Sequence, residues 1–299
     1  MKKLMTIFPV ISGIMWGRAG IFVRTLPNLG MDAYTVVSTR VIVAVIILLL
    51  FFGVYDRSYL KIKPKDTWIF VITGLIGMFA INLCYNFAIK ELTLSLAAVL
   101  LSMSPIFVII FAAILFREKI TVKKLGCMIL ALTGCVLVSG IFESGSGMQW
   151  SVKGILLGLL AAFFYSIYSL ISKLAMQRGY HAYTITFYSL VVVMLVVLPL
   201  TDWDITMDIV VDGGIKMVLF MILHSLCASV LSYILFTVSL EYIDAGKASI
   251  LAACEPIAAM IFGVIFFKEI PTMLSVGGLV LAIIAITIMT LPDKVKSEK

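Results

Sequence analysis

The sequence predicts an all-α polytopic membrane protein of ten transmembrane helices, arranged as two inverted-topology repeats of five helices each. The 299 residues are 62% hydrophobic and 13% charged, with a mean hydropathy of +1.16. Apolar residues fall into ten long runs, and several features recur about 150 residues apart. A soluble domain contains about 45–50% apolar and about 25% charged residues. The composition therefore excludes an ordinary soluble enzyme.

Ten apolar runs approach the length of about 20 residues that a helix needs to cross a bilayer. They are 5–23, 33–54, 68–89, 95–116, 124–141, 153–172, 182–200, 216–240, 246–267 and 273–291. Backbone groups in lipid must be paired within the segment, so each run is expected to be a helix. Lys2 and Lys3 precede a run without a small-residue cleavage site, which favours a retained first helix over a signal peptide. We expect 201–215 to be an acidic external loop.

The distribution of Lys and Arg predicts the orientation. With a cytoplasmic N-terminus, sixteen basic residues fall in cytoplasmic segments and five on the opposite side. Cytoplasmic loops carry an excess of Lys and Arg in membrane proteins. We therefore expect a multi-pass protein of the cell (plasma) membrane with both termini cytoplasmic. This bias also explains the net charge of +7 without nucleic acid as a partner.

The chain repeats itself. The segment from Pro105 to Thr121 matches the segment from Pro256 to Thr272, and both end in Phe, a basic residue and Glu before the Thr. Five helices per copy place the second copy in the membrane upside down, a construction that many secondary transporters use. We predict repeats at 5–141 and 153–291. Proline interrupts the helical hydrogen bonds, so Pro105 and Pro256 are expected to break the fourth and ninth helices.

Few ionisable residues lie inside the runs, and such residues are functional candidates because they are costly in lipid. We expect Arg18 to pair with Glu255. A carboxyl group in a dry cavity favours its protonated form, which makes Glu255 a candidate proton carrier; a structural role beside Pro256 is the alternative. Arg40 is interpreted as a structural residue near the interface. His224 is a further buried candidate.

Aromatic and amide side chains share helical faces in the third and sixth runs. Asn82 and Asn86 are four residues apart with Tyr85 beside them, and Tyr165 and Tyr168 are three apart. Such groups either line a cavity or form hydrogen bonds between helices. The predicted cavity residues are Trp16, Arg18, Asn82, Tyr85, Asn86, Tyr165, Tyr168, Tyr233 and Glu255.

Two other patterns favour structural roles. Glu118 and Glu269 recur at the ends of the fourth and ninth runs, where ion pairs or helix capping explain them. The glycine pairs Gly13/Gly17 and Gly154/Gly158, each four residues apart, allow close approach of helices. The five cysteines lie within apolar runs without metal-ligand spacing, so we expect no metal site.

The order of these motifs resembles the drug/metabolite transporter superfamily, in its EamA-like family. The resemblance rests on Trp16-Gly17 in the first run, Arg40 in the second, Asn82 and Tyr85 in the third, and on the fourth and ninth runs. There it rests on Pro105 with Arg117-Glu118 and on Glu255-Pro256 with Lys268-Glu269. It implies ten helices, cytoplasmic termini and a central cavity. Many members of this family export amino acids or other small metabolites.

We therefore predict a secondary transporter, most simply an amino-acid or related metabolite exporter that works by alternating access. A drug or nucleotide-sugar permease of the same superfamily is the alternative, and an intramembrane enzyme is a more distant one. The chain has no G-x-x-x-x-G-K-[S/T] loop and no Ser/His/Asp arrangement, so neither catalysis nor a cofactor is expected. The expected partners are a small-molecule substrate and the lipid bilayer. The sequence leaves proton coupling and homodimerisation open.

Overall fold

The computed structural model describes residues 5–92, 94–139, 142, 151–268 and 270–291, which form helices and the turns between them. Eight of these helices are long and apolar enough to cross a membrane, and the stretch Ile7–Ala19 is a shorter apolar helix. With Val122–Val138 the described part of the chain has ten spans, as predicted. The protein is thus a multi-pass, all-α membrane protein.

We number the spans α1 to α10. The unbroken helices are α1 (Ile7–Asn28), α2 (Ala33–Val54), α5 (Val122–Val138), α6 (Val152–Gln177), α7 (Ala182–Val197) and α10 (Met273–Thr290). The interrupted spans are α3 (Thr67–Val71, Ile72–Phe79, Ala80–Glu91), α4 (Leu94–Leu101, Ser104–Phe116), α8 (Trp203–Ser225, Leu226–Leu231, Ser232–Tyr242) and α9 (Ala245–Ala252, Glu255–Phe267).

The interruptions occur at equivalent places in the two halves. A π-helical segment lies within α3 at Ile72–Phe79 and within α8 at Leu226–Leu231. Two turn residues break α4 before Ser104 and α9 before Glu255, so that Pro105 and Pro256 fall in the first turn of the following helix. A proline is tolerated there because its missing N–H has no intrahelical partner in any case.

The helices also end alike. Arg117 after α4 and Lys268 after α9 both adopt the left-handed conformation with φ of 55°. This conformation is uncommon for residues other than glycine. Its recurrence 151 residues apart shows that the two halves share backbone geometry as well as sequence.

The prediction that 201–215 is a loop is wrong, because most of this segment is helical. It is helical from Trp203, and Asp202 caps this helix by accepting a hydrogen bond from the Ile205 N–H at 3.1 Å. Its apolar residues Ile209 and Val210 pack against the buried cluster formed by Leu26, Met31, Val36 and Met221. A kink at Gly214, with φ of 55° and ψ of −148°, then turns the chain into the membrane span. The four aspartates suggested a loop, although one of them, Asp202, is the cap of a helix.

Equivalent helix pairs recur in the two halves. The main pairs are α5 with α10, α2 with α7, α3 with α6, α1 with α8, α1 with α9 and α4 with α6. At the crossing of α5 and α10, a Cβ on Gly134 would lie 2.7 Å from the Gly278 carbonyl oxygen, and one on Gly278 would lie 2.6 Å from that of Gly134. Helices can approach this closely only without side chains at both positions.

The two predicted glycine pairs have the expected packing role. A Cβ on Gly17 would lie 2.5 Å from the Glu255 carbonyl oxygen, and one on Gly13 would lie 2.5 Å from the Cys254 Sγ atom. In the other half, Gly154 and Gly158 meet side chains of the α3–α4 region in the same manner. The glycines of α1 therefore bring that helix directly against the break in α9.

Candidate functional site

A cavity of about 480 Å³ lies between the two halves and is lined by residues of α1, α2, α3, α4, α6, α8 and α9. A volume of this order is typical of small-molecule sites. Along α9 the lining begins at Ser249, passes Glu255 and ends at Phe267. At the Phe267 end the cavity is also bordered by Pro27 and Met31, at the turn between α1 and α2. The cavity therefore opens on the side of the α1–α2 turn.

The opposite side is closed by contacts between the two halves. The Glu118 carboxylate accepts hydrogen bonds from the Ala245 N–H at 2.8 Å and the Gly246 N–H at 3.3 Å, which caps α9. It also pairs with Lys173 at 2.7 Å, while Lys124 pairs with Asp244 at 2.7 Å. We call Glu118, Lys124, Lys173 and Asp244 the Glu118 cluster.

A second set of contacts lies on the same side. Asp66, before α3, accepts hydrogen bonds from Arg178 and from the Tyr180 hydroxyl at the end of α6. The Tyr188 hydroxyl donates to the Leu60 carbonyl oxygen at 2.7 Å. The structural role predicted for Glu118 agrees with this geometry, whereas Glu269 lies outside the described residues. Together these contacts seal the end of the bundle that faces away from the cavity opening.

Aromatic side chains form one wall at the inner end of the cavity. The Trp16 ring centroid lies 5.2 Å from that of Tyr233 and 6.0 Å from that of Tyr165, with edge-to-face geometry in both pairs. Phe236 supports this wall from behind, 5.7 Å from Trp16. Offset and edge-to-face pairs are the favoured arrangements of aromatic rings. Trp16, Tyr165 and Tyr233 all line the cavity, as expected.

Glu255 lies beside this wall. It is the first residue of the second α9 segment, and its carboxyl group is close enough to Tyr85, Tyr165 and Tyr233 to interact electrostatically with them. Among the described residues it has neither an ion-pair nor a hydrogen-bond partner for its side chain. An acid at membrane depth with no protein partner is a functional candidate.

Arg40 was interpreted as a structural residue, and the structure places it at the cavity. Its side chain does not reach an interface: it lines the cavity and donates from Nη2 to Asn82 Oδ1 at 3.0 Å. Asn82 Nδ2 in turn donates to the Met78 carbonyl oxygen at 2.8 Å, which fixes the amide orientation. Arg40 Nε is buried without a partner. The sequence could have suggested this contact, because Arg40 and Asn82 lie at similar depths in two different spans.

Most of the predicted residues do line the cavity. The lining includes Trp16, Asn82, Tyr85, Asn86, Tyr165, Tyr233, Glu255 and Pro256. Arg18 and Tyr168 are corrections. Arg18 is not among the lining residues, and it is close enough to Cys227 of α8 to interact electrostatically with it. Tyr168 is fully buried between helices, where its hydroxyl bonds Thr237 Oγ1 at 2.8 Å.

Three further expectations have clear outcomes in the geometry. Arg18 and Glu255 form no ion pair, since the ion pairs of the described residues do not include either one. Pro105 does not line the cavity, although Ser104 does. His224 is buried and stacked on Phe22, with ring centroids 4.7 Å apart, and it does not line the cavity.

The described residues contain no group of three or more His, Cys, Asp or Glu side chains that could hold a metal ion. The polar side chains that line the cavity supply a carboxyl, a guanidinium, two amides, three phenol hydroxyls, three serine hydroxyls and one indole N–H. Such groups can hold a polar solute and release it. The site lies between the two halves of the protein, with one end open and the other end closed.

Comparison with known proteins places this architecture in a family. The profile of the EamA-like transporter family matches the chain twice, at residues 3–140 and 152–291. The chain belongs to the EamA-like transporter family. The double match is that of a family whose members contain two repeats, and it identifies the protein as a membrane transporter.

EamA-like relatives with similar sequences include an uncharacterized transporter, YxxF of Bacillus subtilis strain 168, which is 25% identical over 94% of this chain and 87% of its own. The pseudopaline exporter CntI of Pseudomonas aeruginosa is 27% identical over 79% of this chain and 80% of its own. A protein crystal structure matches with a TM-score of 0.74 over 95% of each chain at 14% identity, which supports the fold.

Proposed function

We propose that this EamA-like transporter is a secondary exporter of amino acids or related small metabolites that works by alternating access. The observation that carries the proposal is the cavity, which is open at the α1–α2 turn and closed at the Glu118 cluster. A solute bound near Glu255 can leave on the closed side only if the contacts there separate. Transporters with inverted repeats bind substrate near the midplane and move one repeat against the other.

The moving units in this proposal are the two predicted repeats, 5–141 and 153–291, of which residues 140 and 141 lie outside the described residues. Both termini face the cytoplasm of a plasma membrane, in agreement with the distribution of basic residues. The cavity then opens to the exterior, and the Glu118 cluster lies on the cytoplasmic side. This orientation makes the described conformation the one that releases an exported solute.

The chemistry of the cavity favours a metabolite over a nucleotide sugar. A nucleotide sugar carries phosphates, which proteins usually bind with several Lys, Arg or backbone N–H groups. Among the described lining residues the only basic side chain is that of Arg40. The relative CntI is named as a pseudopaline exporter, which supports outward transport for this chain. An amino acid or a related compound fits a cavity with one acid and one base better than a polyanion does.

Counterflow in proteoliposomes tests this function. Purified protein is reconstituted in vesicles loaded with one unlabelled solute, and entry of the same labelled solute is measured across a panel of amino acids, amines and organic acids. A carrier gives saturable uptake that is accelerated by the internal solute. Uptake that rises linearly with concentration and is accompanied by ohmic current indicates a channel and contradicts the proposal.

A further inference from the structure

Two unpaired charges of opposite sign border the same cavity. Arg40 enters it from α2 and Glu255 from α9, and neither forms an ion pair with any described residue. They do not pair with each other either. The phenol of Tyr233, which lines the same cavity, is close enough to each of them to interact electrostatically. Buried charges in proteins are normally paired, because an isolated charge away from water is costly.

The Arg40 side has the properties of an anion site. Of the five N–H groups of the guanidinium, one is donated to Asn82, and the Nε atom is buried without a partner. A guanidinium offers pairs of parallel donors that match the two oxygens of a carboxylate. Asn82 is itself held by the Met78 carbonyl oxygen, so the arginine is fixed in place before a ligand arrives.

The Glu255 side has the properties of a site for an ammonium group. Its carboxyl group is close enough to the phenols of Tyr85, Tyr165 and Tyr233 to interact electrostatically with them, and Trp16 packs edge-to-face against two of these rings. Aromatic faces attract cations, most strongly where water is excluded. A carboxylate that lines the same cavity as these electron-rich rings therefore favours a primary ammonium.

We infer that the cavity recognises a zwitterion, with the substrate carboxylate on Arg40 and the substrate ammonium between Glu255 and the Trp16/Tyr165/Tyr233 wall. This inference rests on the proposed carrier function and specifies its substrate class and orientation. Arg40 and Glu255 are specificity-determining residues in this arrangement. A ligand that carries both charges satisfies both of them, whereas a ligand with one charge leaves the other side chain without a partner of opposite charge.

Matched probes that differ by one charged group test the inference. Phenylalanine is compared with phenethylamine, which lacks the carboxylate, and with 3-phenylpropionate, which lacks the ammonium. Leucine, 3-methylbutylamine and 4-methylpentanoate form a second set with a smaller apolar group. Binding is measured by thermal stabilisation of the purified full-length protein, since a ligand that binds the folded state raises its stability.

The wild-type protein should bind at least one zwitterion about tenfold or more tightly than both of its singly charged analogues. Arg40→Gln should remove the preference over the amine and keep the preference over the acid. Glu255→Gln should do the reverse. Arg57→Gln and Glu241→Gln alter exposed charges outside the cavity and should leave both ratios unchanged. Arg40→Lys and Glu255→Asp keep the charge and provide folded variants if the neutral ones unfold.

Equal binding of the three analogues in each set, or binding of none of them, would overturn the inference. So would a loss of both preferences in either single variant that unfolds at the wild-type temperature. Counterflow separates this outcome from failure of the carrier function. If a solute shows saturable exchange but the charge preference is absent, the protein is a carrier and the two-charge site is refuted.

Discussion

Glu118 and Lys173 form an ion pair of 2.7 Å between the turn after α4 and the inner end of α6, and so join the two halves of the chain. Both side chains are mostly buried, with exposures of 7% and 13%. The same carboxylate caps the first residues of α9. One side chain therefore binds two elements of the second half at the closed end of the cavity.

Replacing Glu118 with Ala should destabilise the protein strongly. The change leaves Lys173 without its carboxylate and the Ala245 N–H without its acceptor, while Lys124 keeps Asp244. Removing one partner of a buried ion pair typically costs about 3–5 kcal/mol. Thermal unfolding in detergent measures the effect. The control is Glu241→Ala, which changes an exposed acid near the end of α8. Equal unfolding temperatures of the two variants would refute the role assigned to Glu118.

Gly17→Ala should also destabilise the protein, by about 1–3 kcal/mol, because the added methyl group would lie 2.5 Å from the Glu255 carbonyl oxygen. The matched control is Gly277→Ala in α10, where a Cβ meets nothing within 4 Å. There the substitution should raise stability by up to about 1 kcal/mol, since alanine favours the helix. A gain of stability in both variants would contradict the close contact between α1 and α9.

Gly13 and Gly17 show which parts of the fold can be predicted from the sequence. The motif Gly13-x-x-x-Gly17 predicts a close helix contact, and ten apolar runs predict ten spans. Neither tells which helix is the partner, because packing partners depend on the whole bundle. Arg40 illustrates this: its hydrogen-bond partner is Asn82, which lies 42 residues further along the chain. The helix at Trp203 was missed since its cap, Asp202, resembled a loop charge.

Asn82→Ala should lower stability by about 2 kcal/mol, because hydrogen bonds to charged groups contribute about 1.5–3 kcal/mol each. The same change should weaken the binding of a zwitterion, since Arg40 loses the amide that fixes it. Asn86→Ala is the control from the same helical face and should stay within about 0.5 kcal/mol of the wild type. Thermal unfolding and probe binding are measured together. Indistinguishable results for the two asparagine variants would show that Arg40 does not depend on Asn82.

Glu255→Gln should abolish the effect of a pH gradient on solute accumulation in proteoliposomes. A carboxylate that takes either a proton or a substrate ammonium couples proton entry to solute exit. The ionisable groups around it are Tyr85 on α3, Cys135 on α5, Tyr165 on α6, Tyr233 on α8 and Cys254 at the α9 break. Accumulation at saturating solute is compared with that of Glu241→Gln. Full pH dependence in Glu255→Gln would place the proton site elsewhere.

Alternating access is tested most directly by locking the closed end. Lys124 Nζ bonds both the Lys119 carbonyl oxygen and Asp244, so the exposed residues Lys119 and Asp244 are neighbours from different halves. In a Lys119→Cys/Asp244→Cys variant, a reducible bis-thiosulfonate linker joins the two positions, and each single variant serves as a control. We expect the linked protein to bind the probe but to lose counterflow, which should return after reduction. Counterflow at the unlinked rate in the linked protein would contradict alternating access at this end.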